Sequence, residues 1–228
     1  MIEIENVSYS YIKGKPVLDG LSFSVNSGLT VLYGGKGFGK STLCKIIARE
    51  IKRFGGDIKI NGVGIKDKKA KELNISYITD DLMLRNNQTV RKNAEEALIV
   101  KNTPLYLIAQ KADDALSVCG MREYGDILVK ELSDCDKFYT ALARSLAKSP
   151  DLIMIDDPFI RFDEGKRLEY TKKTLEIIRS LSVPVLYVTS DDFVANELNG
   201  RTVVLSYGKV AYDGNFSDSP YAKAVYSE

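Results

Sequence analysis

The sequence predicts an α/β protein with a mixed, mainly parallel sheet as its core, an N-terminal antiparallel β element and an inserted helical subdomain. Three features of its 228 residues indicate this architecture. An apolar strand leads through a glycine-rich turn into a helix, which is half of a βαβ unit. Several later strands are nearly all apolar, as is usual for strands buried on both faces of a parallel sheet. Residues 81–148 show no strand pattern and are helical in character throughout.

Two N-terminal segments alternate between apolar and polar residues, which is typical of half-buried strands. Their apolar positions are Ile2, Ile4, Val7 and Tyr9, then Leu21, Phe23 and Val25. We expect these segments to form the antiparallel element. Further strands are predicted at residues 29–33, 57–60, 75–78, 152–155, 183–189 and 202–206.

Helical spacing begins at Lys40 and continues through Leu43, Ile46, Ile47 and Ile51. Other helices are predicted at residues 88–100, 105–119, 138–148 and 165–182. We therefore expect a single domain over residues 1–228, with an α/β core formed by 1–80 and 149–228 and a helical subdomain formed by 81–148.

Composition excludes several classes of protein. The 32 basic and 31 acidic residues give a net charge of +1, which offers no reason to expect a nucleic-acid partner. The absence of histidine excludes Ser-His-Asp and Cys-His catalysis and histidine-ligated zinc. The three scattered cysteines suit a reducing compartment, and no secretion signal or membrane span is visible. We expect a cytoplasmic protein that reaches a membrane only through a partner.

The glycine-rich turn has the sequence of a phosphate-binding P-loop, G-x-x-x-x-G-K-[ST]. Its residues are Gly34, Gly35, Lys36, Gly37, Phe38, Gly39, Lys40 and Ser41, followed by Thr42. Backbone N–H groups of such a loop surround a phosphate at a helix N-terminus. Lys40 is predicted to reach the β- and γ-phosphates, and the Ser41 hydroxyl to ligate Mg²⁺. The motif predicts a site for ATP with Mg²⁺.

An apolar strand ending in two carboxylates, Asp156 and Asp157, has the form of a Walker B segment. Asp156 is predicted to hold Mg²⁺ through water, and Asp157 to face the attacking water as a general base. Alone, the same pattern also fits a core strand that reaches a polar turn.

With these motifs, nearly the whole chain resembles the ATP-binding cassette (ABC) ATPases, the nucleotide-binding subunits of ABC transporters. Further segments similar to the family are residues 4–11, 17–23, 132–133, 141–144 and 203–214. The resemblance implies a P-loop NTPase fold with a RecA-like core. It also implies that Tyr11 stacks on adenine; the alternative is an ordinary strand aromatic.

Four functional positions depart from the family pattern. Asp80 replaces the Q-loop glutamine, either as a Mg²⁺ ligand or as a loop carboxylate without a metal. Asp157 replaces the catalytic glutamate and is one methylene shorter. Ser190 replaces the switch histidine. A serine can form only a weak hydrogen bond to the γ-phosphate and supplies no imidazole. These changes predict slow or absent hydrolysis.

The fourth departure is the signature segment, where the family has Leu-Ser-Gly-Gly-Gln. Here Leu132 is followed by Ser133, Asp134, Cys135 and Asp136. The resemblance implies that this helix start faces the γ-phosphate bound by an opposite subunit. Like charges ~4 Å apart cost about 1 kcal/mol in water and about 4 at an effective dielectric of 20. We expect the chain to complete another subunit's ATP site poorly, unless these acids only cap a helix.

The sequence therefore predicts the ATP-binding subunit of an ABC transporter, on the cytoplasmic face of the membrane. Expected partners are a transmembrane subunit and a second nucleotide-binding domain, identical or not. The main alternative is a cassette that binds ATP without turning it over. Weaker alternatives are a non-transport ABC protein acting on DNA or ribosomes, and a P-loop kinase.

Overall fold

The computed structural model describes residues 1–222, so the last six residues of the predicted domain lie outside the described part. The chain divides into two compact units. The first comprises Met1–Tyr77 and the residues from Asp151 onward, and the second comprises Ile78–Pro150. The predicted helical subdomain, 81–148, lies within the second unit.

A four-stranded antiparallel sheet forms the N-terminal β element. Its strands are β1 (Ile2–Tyr9), β2 (Leu18–Val25), β4 (Gly55–Ile60) and β5 (Val63–Gly64), in the order β2-β1-β4-β5. The alternation of the sequence sets the register, because Ile2 is opposite both Val25 and Ile60. These side chains are buried, whereas their polar neighbours face outward.

The second sheet has six strands in the order β10-β9-β3-β8-β7-β6. Its strands are β3 (Leu29–Tyr33), β6 (Ile75–Ile78), β7 (Leu152–Asp156), β8 (Val185–Thr189), β9 (Arg201–Ser206) and β10 (Lys209–Asn215). Strands β9, β3, β8 and β7 are parallel neighbours, and β10 pairs antiparallel with β9. The carboxyl ends of the parallel strands therefore lie at one edge of the sheet.

Within residues 1–222, the α-helices of the first unit are α1 (Lys40–Ile47), α5 (Glu164–Arg179) and α6 (Asp192–Leu198). Apolar residues of α1, among them Leu43, Ile46 and Ile47, join the core of the first unit with side chains of both sheets. The predicted extension of α1 to Ile51 is wrong. The helix ends earlier because Arg49 takes a left-handed φ of 64°.

The second unit contains α2 (Val90–Val100), α3 (Leu105–Val118) and α4 (Asp134–Ala147) around a small apolar core. Helix α4 begins four residues before the predicted start at 138, because the Ser133 side chain caps it by accepting from Asp136 N–H. Short 3₁₀ helices lie at Lys68–Glu72, Arg122–Tyr124, Val129–Glu131 and Phe216–Asp218. Helix α6 and strand β10 were not among the predicted elements.

Candidate nucleotide-binding site

The P-loop connects β3 to α1, and its glycines are required by geometry. Gly37 and Gly39 have left-handed φ values of 83° and 98°. A Cβ on Gly39 would lie 2.6 Å from a methyl of Leu18, and one on Gly34 would lie 2.5 Å from the carbonyl oxygen of Leu205. A larger residue at either position would displace the loop backbone. The loop is therefore packed closely between the N-terminal β element and β9.

The ammonium group of Lys40 lies inside this loop. Its Nζ donates to the carbonyl oxygens of Gly34 at 2.5 Å and Gly35 at 3.1 Å. Burial lowers the pKa of Lys40, while the nearby carboxylates of Asp157 and Asp156 oppose that shift. A phosphate entering the loop would meet a cation that is already desolvated and held in place.

The exposed part of the loop carries Lys36 and Gly37, and the neighbouring Phe38 is half-buried. The Phe38 ring lies against Gly35 and packs on the ring of Tyr207, with centroids 4.7 Å apart. Tyr207 stands in the turn between β9 and β10 and is 82% exposed. The packing of Tyr207 on the P-loop was not predicted from the sequence. The P-loop follows β3 and Tyr207 follows β9, and the pairing of these two strands brings the residues together.

The Walker B carboxylate of Asp156 accepts a side-chain hydrogen bond. The Tyr77 hydroxyl donates to Asp156 Oδ2 at 2.8 Å, and the Ser41 hydroxyl is near enough to influence the pKa of this carboxylate. Burial raises the pKa of Asp156, and the Tyr77 and Ser41 hydroxyls oppose that shift. Tyr77 was not a predicted site residue, because a half-buried tyrosine in a strand carries no distinguishing signal.

Asp157 and Ser190, predicted as catalytic from separate motifs, contact each other. Oδ2 of Asp157 accepts hydrogen bonds from Ser190 Oγ at 3.0 Å and from Ser190 N–H at 3.1 Å. Asp157 has a left-handed φ of 42°, and its own N–H donates to the carbonyl oxygen of Val188 at 2.9 Å. The end of β8 thus fixes both the backbone and the carboxylate of Asp157.

The loop after Ser190 is anchored to α5 and β3. Arg167 Nη1 contacts Asp191 Oδ2 at 2.5 Å, with both side chains largely buried. Asp191 also caps α6 by accepting from Val194 N–H, and the Tyr33 hydroxyl donates to Asp192. These contacts set the position of the segment that carries Ser190.

Tyr11 lies where the resemblance implies an adenine-stacking residue. Its ring is 59% exposed and packs edge-on against Tyr9, with centroids 4.9 Å apart. The Tyr11 hydroxyl lies 3.4 Å from Oγ1 of Thr42, near the start of α1. One aromatic face is therefore available close to the P-loop.

The remaining predicted residues belong to the second unit. Asp80 is exposed, and its Oδ1 accepts from the N–H of Asp81. At the start of α4, the Ser133 hydroxyl donates to Asp136 Oδ2 at 2.6 Å, and Lys137 pairs with Asp134 at 3.2 Å. Cys135 is buried. Asp134 and Asp136 thus make their contacts within the first turn of α4, and the Ser133 hydroxyl already donates its hydrogen to Asp136.

The chemistry of these side chains fits a magnesium nucleotide. Ser41 and Asp156 supply the hydroxyl and carboxylate oxygens that Mg²⁺ prefers. Within residues 1–222, no group of three or more His, Cys, Asp or Glu side chains could hold a metal alone. A cation here would therefore need oxygens from water or from a bound phosphate, which is the usual arrangement for Mg²⁺.

Residues 18–160 match the family model described as ABC transporter. The chain belongs to this family. It is an ABC nucleotide-binding domain, as the P-loop and Walker B segments predicted.

The spermidine/putrescine import ATP-binding protein PotA of Borrelia garinii subsp. bavariensis is 30% identical over 94% of this chain and 62% of its own length. The sn-glycerol-3-phosphate import ATP-binding protein UgpC of Bartonella quintana is 29% identical, with the same coverage. The ABC domain described here thus spans less than two thirds of these relatives.

Solved structures confirm the predicted P-loop NTPase fold. CbiO1 of Clostridium perfringens, part of the ABC transporter complex cbiONQ, superposes with a TM-score of 0.86 over 98% of this chain and 92% of its own, at 24% identity. The ATP-binding cassette MJ0796, a dimer bound to ADP and phosphate, gives a TM-score of 0.76 over 95% and 99%, at 22% identity. In residues 1–222 of the present chain, no helix has the length and apolar character that crossing a bilayer requires.

Proposed function

We propose that this ABC domain binds Mg-ATP at its P-loop and acts as the ATP-binding subunit of a transporter, with slow or absent hydrolysis. One observation carries the proposal. The buried Lys40 ammonium, the Ser41 hydroxyl and the Asp156 carboxylate are brought together at the carboxyl edge of the parallel sheet. This is the edge at which α/β proteins bind ligands, and a P-loop there accepts a nucleotide polyphosphate.

Each part of the nucleotide has a matching group in this proposal. The exposed face of Tyr11 stacks on adenine, and the backbone of residues 34–42 surrounds the phosphates. Ser41 and Asp156 would hold Mg²⁺. When bound, Mg²⁺ would neutralise charge on the phosphates.

Hydrolysis depends on the Asp157 carboxylate, which would accept a proton from the attacking water. Its short side chain already accepts two hydrogen bonds from Ser190, which orient it and take up part of its acceptor capacity. Ser190 has no imidazole with which to stabilise charge on the γ-phosphate. A general base contributes roughly 10²–10⁴-fold when ideally placed, and less from this geometry. We therefore propose turnover well below that of an unmodified cassette.

The proposed partners are a membrane-spanning subunit and a second nucleotide-binding domain. The relatives PotA and UgpC are import ATP-binding proteins, which favours an import system, and cbiO1 belongs to a multisubunit transporter complex. We propose a location on the cytoplasmic face of the membrane, reached through that partner. The near-neutral charge supports no direct contact with nucleic acid.

The alternative is a cassette that binds ATP without turning it over. The contact between Ser133 and Asp136 favours it, because the signature serine donates its hydrogen within its own helix cap. Two carboxylates at this position would also repel the γ-phosphate of a second subunit. In a heterodimer, such a chain would serve as a binding or regulatory half.

Equilibrium binding of a fluorescent ATP analogue tests the proposal. Lys40→Ala should weaken Mg-dependent binding by at least tenfold, since it removes the buried cation of the loop. Lys45→Ala is the matched control, because Lys45 is exposed on the same helix. Equal affinities for wild type and Lys40→Ala would contradict binding at the P-loop.

A further inference from the structure

Tyr77 makes a side-chain contact with the Walker B carboxylate that none of the sequence motifs contains. Its hydroxyl donates to Oδ2 of Asp156 at 2.8 Å, from a residue 79 positions earlier in the chain. Strand β6 carries Tyr77 and is the neighbour of β7 in the sheet, so the adjacency of two strands creates the contact. Both side chains are half-buried, where a hydrogen bond to a carboxylate is stronger than in water.

We infer that Tyr77 is a positioning residue for Asp156 and thereby controls the Mg²⁺ dependence of nucleotide binding. The inference rests on the proposed function. A carboxylate can rotate about its Cβ–Cγ bond, and a donor fixed on one oxygen removes that freedom. Ser41 is the other Mg²⁺ ligand that we propose in the first unit. Tyr77 therefore bonds Asp156 from the neighbouring strand β6.

The phenol of Tyr77 is an uncharged hydrogen-bond donor. A neutral donor of this kind orients a carboxylate without competing for it as a cation would.

Tyr77→Phe tests the inference because it removes only the hydroxyl. We expect affinity for a fluorescent ATP analogue to fall about tenfold in saturating Mg²⁺, from the loss of one charge-assisted hydrogen bond. Affinity in EDTA should stay unchanged. A Mg²⁺ titration at fixed nucleotide should show a midpoint shifted to higher Mg²⁺ concentration by a similar factor.

Tyr212→Phe is the matched control. The Tyr212 hydroxyl donates to the carbonyl oxygen of Asn215 at 2.9 Å in β10, so the variant loses a hydroxyl away from Asp156. Thermal unfolding of both variants checks that the fold is retained. Equal loss of affinity with and without Mg²⁺, or no loss, would overturn the role of Tyr77. Absence of Mg-dependent binding by the wild type would instead contradict the proposed function itself.

Discussion

The hydroxyl of Ser190 donates a hydrogen bond of 3.0 Å to Oδ2 of Asp157, and the Ser190 N–H donates to the same oxygen. Two positions that we expect from the sequence to differ from the family pattern are thus in direct contact. Asp157 is the base that we propose, and the Ser190 side chain in contact with it is a neutral hydroxyl. Asp157 and Ser190 follow β7 and β8, and their side chains form one hydrogen-bonded pair.

Removal of the Ser190 hydroxyl tests whether it orients Asp157. In Ser190→Ala the backbone N–H contact remains, and one hydrogen bond of about 1 kcal/mol is lost. We expect phosphate release, where measurable, to fall by about fivefold while ATP affinity is unchanged. Ser180→Ala, at the end of α5, is the control. A faster release from Ser190→Ala would mean that Ser190 restrains the base.

The ring of Tyr11 is expected to contribute to affinity through stacking rather than through its hydroxyl. Base–aromatic stacking is worth about 1–3 kcal/mol, so Tyr11→Ala should weaken ATP binding by about fivefold to 150-fold. Tyr11→Phe keeps the ring and should bind nearly as well as wild type, although the 3.4 Å contact with Thr42 is lost. Isothermal titration calorimetry compares the three proteins. Equal affinity in Tyr11→Ala would place adenine elsewhere.

The Arg167–Asp191 pair should be important for stability. With side-chain exposures of 20% and 10%, it is largely desolvated, and Arg167→Ala leaves a buried carboxylate without its cation. We expect a loss of about 3 kcal/mol in the free energy of unfolding, measured by urea denaturation. Lys166→Ala breaks an exposed pair with Asp163 and should leave the unfolding midpoint unchanged. Similar unfolding midpoints for both variants would show that the Arg167–Asp191 pair contributes little to the free energy of unfolding.

Restoring the signature should change self-association. Asp134→Gly with Asp136→Gln removes two carboxylates and releases the Ser133 hydroxyl from its contact with Asp136. In an Asp157→Asn background, which blocks hydrolysis, we expect an ATP-dependent dimer by light scattering after gel filtration. The same background with Asp134 and Asp136 intact should remain monomeric under equal conditions. An ATP-dependent dimer of that second protein would show that the acids do not prevent pairing.

The sequence predicted the parts of the site that depend on local pattern. The P-loop, the strand ending in Asp156 and the helices of the second unit follow from spacing and composition over short windows. Contacts between distant segments could not be predicted. The Ser190–Asp157 and Tyr77–Asp156 hydrogen bonds join residues 33 and 79 positions apart, and they depend on the order β8-β7-β6 in the sheet.

Helix ends were predicted less well, because side-chain caps and single left-handed residues decide them. Arg49 ends α1 early with a φ of 64°, and Ser133 starts α4 four residues before the apolar pattern does. Both effects depend on one residue, whereas periodicity averages over many.

A single-turnover experiment tests most directly whether the chain binds ATP and hydrolyses it slowly. Protein in excess is mixed with γ-labelled Mg-ATP, and bound nucleotide and released phosphate are followed for wild type, Lys40→Ala and Asp157→Asn. We predict that the wild type retains ATP and releases phosphate far below the ~10 per second typical of enzymes. Asp157→Asn should retain ATP and release none, and Lys40→Ala should retain little. Wild-type release near ~10 per second, or retention no greater than that of Lys40→Ala, would contradict the proposed function.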